Sequence, residues 1–416
     1  MGICAVLLVC GSCGEDRTYE YDEKTARDHW MFDAMREYYL WGDSIRDSRL
    51  AWKDYFAAPA TFFAKLTAQA PVKDVWSWCA IDTLNEDHHQ RGHFNHIDSY
   101  GLDFTLMTDP TGATSRQYAR VTTVYAGSPA ERCGIERGDF IGMVDGNRMT
   151  SSYASNLENG KQRTIVRSRL AVNAELQEFV WASEDTLTME RSERVPDAAF
   201  SAVRRFDLGN DVVAYLQCNT LSGDADAIGN VMRQVEATQA SVFVLDLRLC
   251  NDGTMEAAQM LASYLIDEPN AGQVFARTIY STRHADRNAA FGFVASAVVR
   301  NLSIRRLYVI TSSYTSGAAE WLIRGLQHVE AEGFVVTVGT ATAGQIVMTE
   351  PVAGPAYHVT IHPAVAYVAN GAGDYDYAGG IDPDVAINEL EYVSLFPYGD
   401  ERETVLAAIL MQIVNE

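Results

Sequence analysis

Basic residues are scarce in this chain: 33 Lys and Arg stand against 55 Asp and Glu, a formal charge of -22. So acidic a surface repels phosphate backbones and anionic lipid head groups, which sets nucleic acid aside as an expected partner. The glycine signatures of P-loop and dinucleotide-binding proteins are missing too. Cysteine is sparse beyond the first residues, and Cys79, Cys133, Cys218 and Cys250 form no CxxC pair and no metal-type spacing. They fit buried free thiols better than a disulfide framework, and the sequence asks for neither a metal nor another cofactor. No apolar run approaches the ~20 residues of a membrane-spanning helix, and no repeat or low-complexity tract interrupts the chain.

What is present is an ordinary globular composition, 47% hydrophobic and 21% charged, over 416 residues. That length suffices for two to four domains with their own cores. The chain starts MGICAVLLVC and continues Gly11-Ser12-Cys13 before the acidic Gly14-Glu15-Asp16. A short apolar run of this kind matches the hydrophobic segment of a secretory signal, and small residues ahead of a Cys resemble the cleavage box of bacterial lipoproteins. Residues 1–13 are therefore expected to be a lipoprotein signal segment, with Cys13 as the lipid-bearing residue. The expectation is an exported protein of the cell envelope, periplasm-facing or at the cell surface, that meets the membrane only through its anchor. No Lys or Arg precedes the run; a start further upstream and a buried terminal strand are the other readings.

Between residues 24 and 41, Trp30, Ala34 and Tyr38, and likewise Met31, Met35 and Tyr39, recur at four-residue spacing, which puts them on one helical face. Phe56, Phe62, Phe63, Leu66, Val75, Trp76 and Trp78 continue the apolar pattern, so residues 18–98 are expected to form a small helical domain. His88, His89, His93 and His96 crowd its end. His89 and His93 could share a metal on one helical turn, but an exposed polar linker is the simpler expectation, and no metal site is assigned. Short strands follow, and SPAERCGIERGDFIGMVDG at 128–146 looks like the core of a PDZ domain: a short helix, a Gly turn, and a strand ending at Asp145-Gly146. In PDZ domains a peptide adds as a strand, and backbone N–H groups of a Gly-Leu-x-Phe loop hold its terminal carboxylate. Gly101, Leu102, Asp103 and Phe104 stand at that loop, with Asp103 where a Gly is usual, and residues 99–198 are assigned to this domain. Arg137-Gly138-Asp139 fits PDZ turn chemistry and not an adhesion tripeptide.

From residue 202 apolar strands at 212–216, 242–249, 306–311 and 334–338 alternate with helical spacing at Ile228, Val231, Met232 and Val235 and at 255–265. Helices between near-continuous apolar strands argue for an α/β layer with parallel pairs. The 268–300 stretch is less regular and reads as an insertion, and 404–414 as a closing helix.

Three blocks succeed one another in this region: VFVLDLRLCNDGT (242–254), RLYVITSSYTSGAAEWLIRGL (306–326) and VVTVGTATAGQ (335–345). In this order they resemble the C-terminal processing (tail-specific) serine peptidases, and with the PDZ-like part the resemblance covers most of the chain. It implies a multidomain α/β protein: an N-terminal helical domain, a PDZ-like β domain and, over 199–416, the crotonase- and Clp-protease-like ββα core of that family. In the first block Asp246, Arg248, Asn251 and Gly253 match, and Thr254 replaces a second Gly. The family's turn lends a backbone N–H to the oxyanion hole, so the resemblance implies Gly253, Thr254 and Ala318 as donors, supported by Arg248 and Asn251. In the second, the family's Thr-Ala-Ser-Ala-Ser-Glu falls without gaps on residues 315–320, which sets Gly317 at the nucleophile position. Sliding by one would rescue Ser316 but rotate the apolar face of Trp321, Leu322, Gly325 and Leu326 by ~100°. In the third, Gly339, Thr342 and Gly344 match, and Gln345 holds the seat of the general-base Lys.

A Ser–Lys dyad works because desolvation lowers the Lys pKa until its neutral amine can take the hydroxyl proton. Gly brings no nucleophile, and a carboxamide is no base near neutral pH. The resemblance with both substitutions implies a pseudopeptidase that binds peptides or unstructured protein C-termini. The alternatives are an active serine endopeptidase using Ser316 with an unconventional base, and a structural envelope lipoprotein. Ser312, Ser313, Thr315 and Ser316 are expected to cap the following helix. His358 and His362 should serve core or edge packing, and Asp374 and Asp376 are at most a weak cation pair beside a structural turn.

Overall fold

The computed structural model describes residues 18–81, 98–175, 178–195, 198–222, 224–266, 270, 272–294, 299 and 301–416. Cys13 and the clustered His88, His89, His93 and His96 lie outside the described residues. The chain divides into two compact units, Met1–Leu84 with Thr349–Ala364, and Asn85–Met348 with Val365–Glu416.

In the first unit the four-residue spacing yields the helix Thr18–Tyr38, and a second helix, Pro59–Thr67, opens with the Pro whose missing N–H is harmless there. The stripe through Met31, Met35 and Tyr39 is buried with Phe62 and Leu66, while Tyr38, ~100° further round the helix, is left exposed. The unit is not helical throughout. Trp78–Ile81 pairs antiparallel with Val359–His362, which also pairs with Val352–Gly354. His362 does serve packing: it stacks on Trp78 with ring centroids 3.7 Å apart.

The second unit holds the two sheets that frame the site. The first runs Leu102–Thr108, Gln117–Val124, Phe140–Val144, Arg163–Asn173, Glu178–Met189, each neighbour antiparallel. Among the described residues Leu102–Thr108 pairs on one side only and stands last in this sheet. Before the middle strand lies the short helix Pro129–Arg132, whose first turn is capped by Ser128 Oγ accepting from the Glu131 N–H at 3.1 Å.

The second sheet has six strands in the order Val385–Ala386, Val335–Gly339, Arg306–Thr311, Val242–Asp246, Asp211–Gln217, Arg204–Leu208. All pairs are parallel except the last. Period-two alternation divides each central strand between two cores. Phe243 and Leu245 face the helices Ala225–Ala237, Met255–Leu265 and Ala318–Val329, whereas Val242 and Val244 face the closing helix Thr404–Asn415.

Two boundaries differ from expectation. The Val242 strand stops at Asp246 and not at 249, because the Cys250 N–H turns back to the Leu247 carbonyl at 3.0 Å. Within the 268–300 stretch the described residues are more regular than expected: Val274–Tyr280 pairs antiparallel with both Ala289–Gly292 and Ala364–Asn370.

Candidate active site at the ends of three parallel strands

The strands Val242–Asp246, Arg306–Thr311 and Val335–Gly339 are adjacent and parallel, so the loops leaving their C-terminal ends meet at one edge of the sheet, the end at which open α/β sheets bind ligands. Hydroxyls stitch the first two loops together. Thr315 Oγ1 donates to the Leu247 carbonyl at 2.9 Å, Ser312 Oγ to that of Arg248 at 2.6 Å, and Ser316 Oγ to that of Asn251 at 3.2 Å. The expectation that these hydroxyls cap the following helix is thereby corrected. They satisfy carbonyls of the neighbouring loop, and Gly317 stands at the cap of Ala318–Val329. Ser316 is almost fully buried, and among the described residues its hydroxyl has no titratable partner.

Gly317 has φ +57°, a conformation that L-residues rarely adopt, in a sharp strand-to-helix turn. A Cβ built there would lie 3.2 Å from Oε1 and 3.6 Å from Nε2 of Gln345. The two positions singled out from the sequence are thus side by side, 317 directed at the carboxamide of 345. Gln345 Nε2 donates to the Val347 carbonyl at 3.2 Å.

Between them lies a residue that sequence inspection matched but gave no role. Glu320 is fully buried. Its carboxylate accepts from the N–H groups of Gly317 at 3.0 Å, Gly344 at 2.7 Å and Gln345 at 2.7 Å, and from the Thr342 hydroxyl. Burial pushes its carboxyl up, and these four donors pull it back without fully offsetting that. One side chain therefore fixes both loops of the pair. The available signal was its place three residues after the helix cap, the reach-back spacing of a capping box.

The turn at 251–254 meets the same helix. A Cβ on Gly253 would come within 2.7 Å of Ala318 Cβ and 2.5 Å of Leu221 Cβ, so only Gly permits the approach. Its N–H donates to Asp252 Oδ1 at 2.7 Å. Thr254 departs from expectation. Its φ is -107°, unstrained for a side chain, and it caps Met255–Leu265 by accepting from the Ala257 N–H at 3.1 Å. Its own N–H is engaged by the Leu221 carbonyl at 3.0 Å, so it is no oxyanion donor. Asn251 contributes the carbonyl that holds Ser316.

Arg248 points away from this turn into a buried ionic network. It pairs with Asp246 at 2.6 Å, with Glu403 at 3.0 Å and with Glu389. Arg137 of the first sheet's turn meets Glu389 at 2.7 Å, and both guanidinium groups lie over the Tyr398 ring, 4.1 and 4.6 Å from its centroid. Burial opposes the charge on Glu403, but Arg248 and Arg137 outweigh it and hold the carboxyl at about 2. Arg137-Gly138-Asp139 is an internal turn, Asp139 being buried against Arg169 at 2.8 Å. Asp376 pairs with Arg324 at 2.8 Å, and among the described residues no cluster suits a metal.

Gly101, Leu102, Asp103 and Phe104 lie at the start of Leu102–Thr108, with Gly101 at φ +72° and Asp103 accepting from the Tyr125 hydroxyl at 2.7 Å. Leu102, Asp103 and Phe104 line a cavity of about 580 Å³ together with Ser312, Ser313 and Tyr314 of the loop that leads to Gly317.

The profile of peptidase family S41 matches residues 212–387, that of the peptidase S41 N-terminal domain residues 26–78, and that of the PDZ domain residues 120–158. Among curated proteins there is no match. A solved structure named as an S41 protease from Bacteroides fragilis NCTC 9343 is 28% identical and superposes with a TM-score of 0.82, over 93% of this chain and 97% of that one. The photosystem II D1 C-terminal processing protease is 18% identical with a TM-score of 0.51, over 88% of this chain and 93% of that one, a likeness of fold alone. Two S41 profiles with a PDZ domain between them, in a fold shared almost end to end with an S41 protein, leave one conclusion: the chain belongs to peptidase family S41 and is a homologue of the tail-specific peptidases.

Proposed function

We propose that this protein is a member of the peptidase family without hydrolytic activity, which binds peptides or unstructured protein tails and does not cut them. The observation that carries the proposal is the pair at the helix mouth, where a side chain at 317 would meet a carboxamide 3.2 Å from its Cβ. Peptide hydrolysis by this route needs a nucleophile and a group to take its proton. Gly317 has no side chain, and the Gln345 amide is not basic at neutral pH. The turn lends further support. A carboxylate, Asp252, already accepts from the Gly253 N–H, and an anion there opposes the negative charge of a tetrahedral intermediate.

A fluorophosphonate probe and an unstructured protein substrate test this directly. The expected result is neither labelling nor cleavage, and covalent label on Ser316 would overturn the proposal. The double variant Gly317→Ser with Gln345→Lys is expected to gain slow cleavage. The same reading includes export and anchoring through Cys13. Palmitate should enter the protein in cells and be lost on Cys13→Ser, and an unlabelled wild-type protein would refute the anchor.

A further inference from the structure

Between the strand Val385–Ala386 and the helix Thr404–Asn415 the chain passes through 389–398, and the first sheet grips this segment at several points. Arg120, buried in the strand Gln117–Val124, donates to the Leu390 carbonyl at 2.9 Å and to that of Tyr392. Arg137, buried in the turn before Phe140–Val144, donates to the Thr122 carbonyl of its own sheet at 2.7 Å and to the Phe396 carbonyl of the segment. At Gly138 the two backbones come so close that a Cβ would stand 2.2 Å from the Leu395 carbonyl oxygen. The Tyr398 hydroxyl donates back to the Thr122 carbonyl at 3.3 Å. Glu389 closes the set. Its Oε2 meets Arg137 at 2.7 Å on one side and, on the other, Arg248, two residues past the end of Val242–Asp246 in the second sheet.

Two layers carried on one chain move relative to each other unless the contact between them is extensive and buried. We propose that 389–398 is a strap that fixes the first sheet in one orientation against the second, with Glu389 as the residue that ties them. Asn388, Glu389, Leu390 and Tyr398 line the cavity of about 580 Å³ along with Leu102, Phe104 and Ser312, so the strap also presets the width of that cavity. Removing the Glu389 charge leaves two guanidinium groups against the Tyr398 ring without the carboxylate they share, which weakens the tie at its centre. The strap goes beyond the peptide-binding reading and holds whether or not a peptide binds.

Pulsed double electron–electron resonance on the full chain reads the orientation directly. Spin labels are carried by a genetically encoded keto amino acid at two exposed positions, which leaves the native cysteines untouched. One is Ser151, between the strands Phe140–Val144 and Arg163–Asn173, and the other Gln234 on the helix Ala225–Ala237. The wild-type chain is expected to give a single narrow distance distribution. Glu389→Gln should widen it about twofold or add a second distance. Gly138→Ala, which drives a Cβ into the Leu395 carbonyl at a separate point of the same contact, should do the same. A broad or multiple distribution in the wild type would overturn the strap, and so would a width that neither variant changes while both keep the wild-type circular dichroism. Should a variant fail to fold, the wild-type distribution decides the matter by itself.

Discussion

Two buried ionic centres share the second unit of this protein, and they differ in what surrounds them. Around Glu320 a single carboxylate is held by three backbone N–H groups and one hydroxyl, with no cation paired to it among the described residues. Around Arg248, guanidinium groups and carboxylates neutralise one another, and a tyrosine ring lies against both arginines. The first centre shapes the mouth of the helix that begins after Gly317, and the second joins strands, turns and the C-terminal helix. On the proposed reading, the scaffold of the cleft is kept while its reactive groups are not. A backbone-binding carboxylate needs only the loop shape, whereas hydrolysis needs particular side chains at two points on that shape.

The comparison can be broken most forcefully at the ionic centre. Arg248→Ala strands Asp246 and Glu403 as buried unpaired charges and should cost ~3–5 kcal/mol, measured by urea unfolding. The pH dependence follows from the same pair. The Glu403 carboxyl is held at about 2, below its ordinary 4.5. The group therefore contributes its stability in full above pH 4.5, and that contribution is lost as pH falls towards 2. Integrated over that interval it amounts to ~3 kcal/mol, and Glu403→Gln should flatten the acid limb of a stability-versus-pH curve. At the helix mouth, Glu320→Gln keeps the shape but turns one acceptor into a donor facing N–H groups, with an expected loss of ~2 kcal/mol.

Smaller effects sharpen the contrast. Gly317→Ser puts a side chain at φ +57° against the Gln345 amide and should cost ~1–2 kcal/mol, with activity still absent until Gln345→Lys is added. Asp252→Ala should change stability by less than ~0.5 kcal/mol. In the Gly317→Ser, Gln345→Lys background it should nevertheless raise cleavage about tenfold, since the Gly253 N–H is then released. A rate unchanged by that substitution would separate the 251–254 turn from oxyanion stabilisation.

Much of this was legible in the sequence. The parallel α/β layer follows from apolar strands alternating with helical spacing. The adjacency of Gly317 and Gln345 follows from motifs that each continue past the end of one of two neighbouring parallel strands. Thr254 was misjudged because its N–H has a partner, Leu221, on another segment, which no local pattern reveals. Glu320 was matched as the end of a motif, yet its partners at 342, 344 and 345 lie more than twenty residues on. Arg137 read as turn chemistry, which it is, but its guanidinium donates to the Phe396 carbonyl, 259 residues away.

The sequence by itself determined the family and the order of its parts, and it supplied the Gly317 and Gln345 on which the proposed inactivity rests, because these depend on residue identity within short windows. Tertiary structure alone decided which N–H groups of the 251–254 turn are engaged, which carboxylates are neutralised, and that a cavity lies beside the Leu102–Thr108 strand. Hydrogen bonds and ion pairs act over a few ångströms of space but here join residues such as Arg248 and Glu403, 155 positions apart, and only the folded chain brings such partners within reach.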